Sequence, residues 1–473
     1  MRYSRRIRCA CEHVYLTAVC LFLLWDVAFM TEAAWTFTIR PAFPWIWRVL
    51  AVCALVMSRG RIRAMAWPAL LLVWMAGTSL YRGTEVFRAV IPAMDHGVLA
   101  FLVVGLTPFA VEERRLKAYL KGLLALWTAL YTLQSLIGLW AALSGHAVFS
   151  LKGTWYIGVN LGDHRLYMMA YVTTGAVKTG MSVLLALLGA AMTRRWPGRI
   201  AYGVCMLIHL ACLALTDCRT AFIALGAALG LAAAVLILRG RARDRQTSRR
   251  VLRWGCAALT VVVMTGGVYL ALSGVLTALS PHVPQELENI NILELPGELL
   301  PSAHAEEAAV RHRGLDQGDL FNGRSAIWRG ALTLLQAEPK FLVTGTTSAL
   351  SGALTNAHIP ADAGAQVTFK HVHNIYLQTL VNWGVPGLLL LAGLLAALAR
   401  ASWRLMLGRN TALWQRFVPL AAVYMLLCDL VDCHLLLSEG TPMLYFASLS
   451  AALALRMGGR EESGMRLASD GQT

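Results

Sequence analysis

His373 opens the run His373-Asn374-Ile375-Tyr376-Leu377, where a long water-facing stretch gives way to an apolar span. Imidazole is the side chain that takes up a proton near neutrality, with an unperturbed pKa of ~6.5, and Asn374 and Tyr376 set hydrogen-bonding groups beside it. That position is a candidate general base. Two arginines offer the complementary chemistry, a permanent charge on a fork that grips phosphate oxygens. Arg324 opens a helical pattern that runs to Ala337 between Asn322-Gly323 and Pro339, with Ile327, Trp328, Ala331, Leu334 and Leu335 at helical spacing. At about 100° per residue, Arg324 falls in the middle of that apolar face and Arg329 well away from it. A helix lying on the membrane then aims Arg324 inward, or lets it snorkel to a lipid phosphate. The second arginine follows the tight turn Thr216-Asp217-Cys218-Arg219-Thr220. There Thr216 or Asp217 can cap the next helix, whose first amides make a place for phosphate beside Arg219, or Arg219 is an interfacial anchor.

Other ionisable residues lie within apolar stretches, where such groups are expected to be functional. Arg88, Asp95 and His96 share one span, and Arg88 and Asp95, seven apart, share a face. They bind donor phosphate or pair with each other. Lys178, Asp429 and Asp432 are similar cases, an acid at 429 or 432 being placed to orient a catalytic histidine. His371 and His373 alternate as a metal pair does, but no second spaced pair accompanies them. No Asp-X-Asp pattern for a metal-bridged diphosphate occurs either.

These residues need positioning, and composition says by what. The chain has 473 residues, 57% hydrophobic and 14% charged, with mean hydropathy +0.58, and stretches near the ~20 apolar residues of a membrane crossing recur along it. This is a polytopic membrane protein, all-α, with about twelve spans at 14–34, 43–58, 64–80, 87–110, 118–143, 166–193, 199–216, 219–238, 254–273, 374–399, 413–432 and 441–456. With the N-terminus inside, the cytoplasmic segments carry 27 of the 42 Lys and Arg residues and the outer segments 12, as the positive-inside rule requires. The net charge of +16 is therefore an orientation signal, and the run from Arg239 to Arg253, without interleaved aromatics, is a cytoplasmic anchor rather than a nucleic-acid site. The first span is longer than a signal-peptide core and reads as an uncleaved anchor. Of ten cysteines only Cys218 and Cys433 lie near the outer face, so no disulfide framework is implied.

Four regions follow: spans 1–9 in 1–273, a long outer loop in 274–372, spans 10–12 in 373–456, and a cytoplasmic tail in 457–473. The loop carries ten acids, and its first part, with Pro281, Pro284, Pro296 and Pro301, reads as irregular.

Three stretches together resemble the O-antigen ligase and O-antigen polymerase family of bacterial envelope glycosyltransferases. They are Cys218-Arg219-Thr220-Ala221-Phe222, Gly323-Arg324-Ser325-Ala326-Ile327-Trp328 in the outer loop, and His373-Asn374-Ile375-Tyr376-Leu377 with Gly384 and Gly387 beyond. Cys218 stands where the family usually has Ser, and its Asn-Pro-Asn is not evident around Val172-Thr173-Thr174. The resemblance implies a GT-C-like helical fold in the bacterial inner membrane with the active site on the outer face beneath the loop. It also implies a glycan on undecaprenyl diphosphate as donor and a hydroxyl of a glycan or lipid as acceptor, lipid A core in ligases and the next repeat unit in polymerases. His373 is then the base, Arg219 and Arg324 replace a metal at the diphosphate, and Arg88, Asn374 and Tyr376 complete substrate binding, with no cofactor. The rival class is a small-solute transporter of bicarbonate type. A transporter collects its ionisable groups near the bilayer midplane, whereas Arg219, Arg324 and His373 map to the outer surface.

Overall fold

A backbone surrounded by lipid must satisfy its own N–H and C=O groups, so long apolar stretches become helices. The computed structural model describes residues 2–25, 43–58, 66–82, 106–149, 156–160, 165–168, 172–239, 247–283, 288–290, 324–346, 348–359, 371–408, 411–431, 452–453 and 456–457. The helices are α1 (Arg2–Trp25), α2 (Phe43–Met57), α3 (Ala66–Tyr81), α4 (Glu113–Ser144), α5 (Val172–Met192), α6 (Trp196–Leu215), α7 (Arg219–Arg239) and α8 (Thr247–Leu279). After them come three loop helices, α9 (Arg324–Ala337), α10 (Phe341–Thr344) and α11 (Ser348–Ala357), then α12 (Ile375–Leu407) and α13 (Leu413–Cys428). Among the described residues six helical stretches are long and apolar enough to cross a membrane: Glu113–Ser144, Val172–Met192, Trp196–Leu215, Arg219–Leu238, Val251–His282 and Ile375–Leu407. The expected spans at 14–34, 87–110, 413–432 and 441–456 lie partly or largely outside the described residues.

The main core fills the space between α4, α5, α7 and α13, with Trp127, Tyr131, Met181, Phe222, Leu225, Val418 and Tyr424 buried together. One end of this bundle is basic. Glu12, buried on α1, pairs with Arg8 at 3.0 Å and with Arg115. The Lys117 ammonium lies 5.0 Å from the Trp414 ring centre. Arg416, fully buried, donates to the carbonyls of Met406, Gly408 and Thr411 and so closes the end of α12.

The opposite end carries a feature that corrects the all-α expectation. Strands β1 (His146–Phe149), β2 (Tyr156–Asn160), β3 (Arg165–Met168) and β4 (Glu288–Ile290) form one sheet in the order β3-β2-β1-β4. β1 and β2 pair antiparallel with Val148 opposite Ile157, and β2 and β3 with Asn160 opposite Arg165. β4, from the long loop, runs parallel to β1 with His146 opposite Glu288. The inward set, Val148, Ile157, Val159, Leu166 and Met168, packs on Ala141, Ala142, Cys212 and Leu215 at the ends of α4 and α6. The span expected at 166–193 thus takes in strand up to Met168 as well as the helix Val172–Met192. Leu166 and Met168 are buried and alternate with Arg165 and Tyr167, a period-2 pattern that length and flanking charge cannot separate from the apolar helix after it.

α12 is interrupted. Gly384 adopts φ 69° and ψ −173° inside it, two residues before Pro386. The loop enters at this break. Gly345, at φ 68°, lies against the Asn382 carbonyl so closely that a Cβ would sit 2.0 Å from its oxygen, and a Cβ on Gly384 would sit 2.6 Å from the Val343 oxygen. Only residues without side chains allow that approach. Two carbonyls at the break are taken up by protein. Val381 O accepts from Thr346 N at 2.8 Å and from Thr346 Oγ1 at 3.0 Å, and Trp383 O accepts from Trp74 Nε1 at 2.8 Å.

A candidate active site at one end of the bundle

The amphipathic helix forms with the bounds its pattern predicts, Arg324–Ala337. Its apolar face does not lie on lipid, which corrects the expectation of a helix resting on the membrane. Ile327, Ala331, Leu334 and Leu335 are buried with Phe341, Val372 and Val381, and Leu354, Leu377 and Leu380 close the cluster. The physical reason is that α10 and α11 fold back beneath α9 and α12 supplies the far wall. Arg324 is half-buried and Arg329 exposed, as the helical spacing implies. One turn beyond Arg324, Trp328 donates its indole N–H to the carbonyl of Val372 at 3.0 Å. The α9 face that carries Arg324 therefore docks on the residue preceding His373.

The backbone around His373 is fixed from every side. Val372, fully buried, has its N–H held by Gln378 Oε1 at 2.5 Å, and Gln378 in turn donates to Ser351 Oγ and Asn382 Oδ1. Asn374 is the N-cap of α12. Its Oδ1 accepts from Leu377 N at 2.9 Å and its Nδ2 donates to Leu430 O at 2.7 Å, so its amide is engaged by the protein at both ends. Ile375 N donates to Asp429 O at 3.0 Å. Between these anchors His373 takes φ 53°, the left-handed region that non-glycine residues seldom occupy. Such a conformation persists where its surroundings over-determine it, and those places are often sites. The His371 and His373 rings lie 4.3 Å apart, tilted by 49°. Tyr376 is half-buried, its ring joining Leu71, Met75, Trp383 and Trp74.

The Arg219 turn has the same character. Asp217, at φ 44°, and His373 are the two non-glycine residues with positive φ among the described residues. Thr216 does not cap α7, contrary to the first of the two expected capping arrangements: its hydroxyl donates back to Leu213 O at 2.6 Å. Arg219 begins α7 directly after buried Cys218. The C-terminal end of α13 links this turn to the histidine segment. Tyr424 and Cys428 pack in one core with Cys218, and the next residue, buried Asp429, receives the Ile375 amide. Arg219, Arg324 and His373 thus stand on three elements that meet at one end of the bundle.

Lys178 lies half-buried in α5. Arg88, Asp95, His96 and Asp432 lie outside the described residues. Among the described residues no group of three or more His, Cys, Asp or Glu is placed to hold a metal ion. Sequence reasoning missed two arginines. Arg165 on β3 donates to the carbonyls of Thr216 at 2.9 Å and Asp217 at 2.6 Å, and the alternation Arg165-Leu166-Tyr167-Met168 was the available signal. Arg82, after α3, donates to Gly345 O at 2.7 Å and to Thr344 Oγ1, with its guanidinium 4.7 Å above the Phe341 ring. It anchors the loop at the α12 break, and nothing local in the sequence marks it.

Residues 204–392 match the family model described as O-antigen ligase. The match supports membership of the O-antigen ligase family. The matched stretch holds Arg219, Arg324 and His373 and leaves out Arg165, Lys178 and Asp429. No curated protein matches the chain. The O-antigen ligase domain and the membrane-type helices together support a bacterial membrane protein with a glycosyltransferase-like part in polysaccharide biosynthesis.

Proposed function

We propose that this O-antigen ligase family member transfers a glycan from undecaprenyl diphosphate to an acceptor hydroxyl at the outer face of the inner membrane. His373 removes the proton of the acceptor hydroxyl as it attacks the anomeric carbon, and the bond from that carbon to the diphosphate oxygen breaks. Arg219 and Arg324 hold the charge that grows on the departing diphosphate. The observation that carries this reading is the over-determined left-handed His373, whose preceding carbonyl is bound by the helix bearing Arg324. General-base catalysis needs a proton acceptor held in register with its reactants, since small misplacements are costly in rate. Asn374 serves by fixing that register and Tyr376 by walling the site, while Arg88 adds donor contact. Two arginines at the diphosphate give the reaction a metal-independent route, so transfer that survives EDTA is expected.

A topology of about twelve spans, with 274–372 outside, places this end in the periplasm. The structure supports it in two ways: Glu12, Arg115 and Arg416 gather at one end, and the hairpin β1–β2 pairs with loop strand β4 at the other. The break in α12 favours the transporter reading little, because two of its carbonyls, those of Val381 and Trp383, are already bonded to Thr346 and Trp74. The test incubates purified protein with undecaprenyl-diphosphate glycan and candidate acceptors. Glycan on a new acceptor marks a ligase and longer lipid-linked chains mark a polymerase of the same family. No transfer to any acceptor, with solute uptake in vesicles, returns the protein to the transporters.

A further inference from the structure

The C-terminus of a helix leaves carbonyls without intrahelical partners. At the end of α6 two carbonyls in this turn are taken up by one side chain from another element: Arg165 Nε donates to Thr216 O at 2.9 Å and Nη2 to Asp217 O at 2.6 Å. A guanidinium fits this place twice over, since its fork matches two acceptors and its charge opposes the negative end of the helix dipole. The second carbonyl belongs to Asp217, whose φ of 44° sets the direction in which the chain leaves toward Cys218 and Arg219. A residue that strained keeps its conformation only where neighbours hold it. Arg165 is itself held by the sheet, opposite Asn160 on β2, with Leu166 and Met168 anchored in the cluster on α4 and α6. The same sheet takes β4 from the long loop.

We propose that Arg165 is a positioning residue for Arg219: its fork locks the left-handed turn that aims Arg219, and the sheet sets that turn in register with the long loop. The proposal rests on the diphosphate-binding role given to Arg219 above. It concerns a residue outside the stretch that matches the family model.

The test uses the full-length protein in detergent or nanodiscs, with Arg165→Ala and Arg165→Lys, the second keeping the charge without the fork. Hydrogen–deuterium exchange reads the turn without any need for activity. Exchange over 214–222 is expected to rise in Arg165→Ala, less in Arg165→Lys, and to stay unchanged in α5 and α13. A rise spread over the whole bundle, or none at the turn, overturns the proposal. Transfer from the lipid-linked donor is expected to fall by up to about 100-fold in Arg165→Ala, the scale of a displaced binding group. The loss should vanish in an Arg219→Ala background and be partly restored by Asp217→Gly, which adopts positive φ without strain. Losses that multiply with Arg219→Ala would mean that Arg165 acts on substrate by itself, and the proposal fails. If the parent protein transfers nothing, the functional reading falls, while the exchange measurement still decides whether Arg165 holds the turn. Should Arg165→Ala not fold, Arg165→Lys carries both measurements.

Discussion

Removing the guanidinium at Arg324 is the sharpest test of the site, because α9 supplies its own control five residues away. Arg324 is half-buried on the face that packs against Val372 through Trp328, and Arg329 is exposed on the other side. At about 100° per residue the two side chains diverge by about 140°. They share one helix, one charge and one side-chain length, and differ in direction and burial. Loss of one preorganised donor at developing charge costs about 2.7–4 kcal/mol, which at about 1.4 kcal/mol per decade is a fall of about 10²–10³ in turnover. Arg329→Ala, a surface change, should stay within about 0.5 kcal/mol, roughly a factor of two. Arg324→Lys keeps the charge without the fork and should fall between. The assay is single-turnover transfer from undecaprenyl-diphosphate glycan, with thermal stability measured in the same detergent to show that α9 remains docked. Equal losses at 324 and 329, or loss at 324 that follows lost stability, would refute the assignment of Arg324 to the diphosphate.

His373→Ala should leave a folded protein that binds donor but transfers about 10²–10⁴ more slowly; donor binding and transfer lost in equal proportion would make His373 a ligand and send the search for the base to Asp95 and Asp432. Gly384→Ala forces a side chain into a φ/ψ region reserved for glycine, at about 1–3 kcal/mol before any clash, and its Cβ would meet the Val343 oxygen at 2.6 Å. A lowered thermal midpoint with α10 loosened in hydrogen exchange is expected, and an unchanged midpoint would show that the loop yields without cost. In intact cells Arg329→Cys should react with a membrane-impermeant maleimide and Arg195→Cys should not; the reverse pattern would invert the topology.

Much of this protein is decided locally, and local decisions can be read from sequence. The bounds of α9 follow from apolar spacing between Asn322-Gly323 and Pro339, and the separation of Arg324 from Arg329 follows from the helical repeat. The long spans follow from apolar length, because lipid leaves the backbone no other partner. Asn374 before an apolar run is a cap signal of the same local kind, and the structure puts it at that use. What covers the apolar face of α9 was not local. Sequence marks that face as needing burial, yet lipid and protein satisfy it equally, and only the fold of α10 and α11 onto α12 chose protein. The sheet escaped for a related reason: Leu166 and Met168 are as apolar as the helix that follows them, and a strand is settled by its partners, here Tyr167 opposite nearby Gly158 and His146 opposite Glu288 far along the chain. The left-handed backbones of His373 and Asp217 are likewise products of tertiary structure. Neither residue type prefers that conformation strongly enough to announce it, and it holds because Trp328 and Gln378 grip residue 372 and Arg165 grips 216 and 217. Sequence supplied the residue types for the chemistry, whereas their aim depends on hydrogen bonds between elements tens of residues apart.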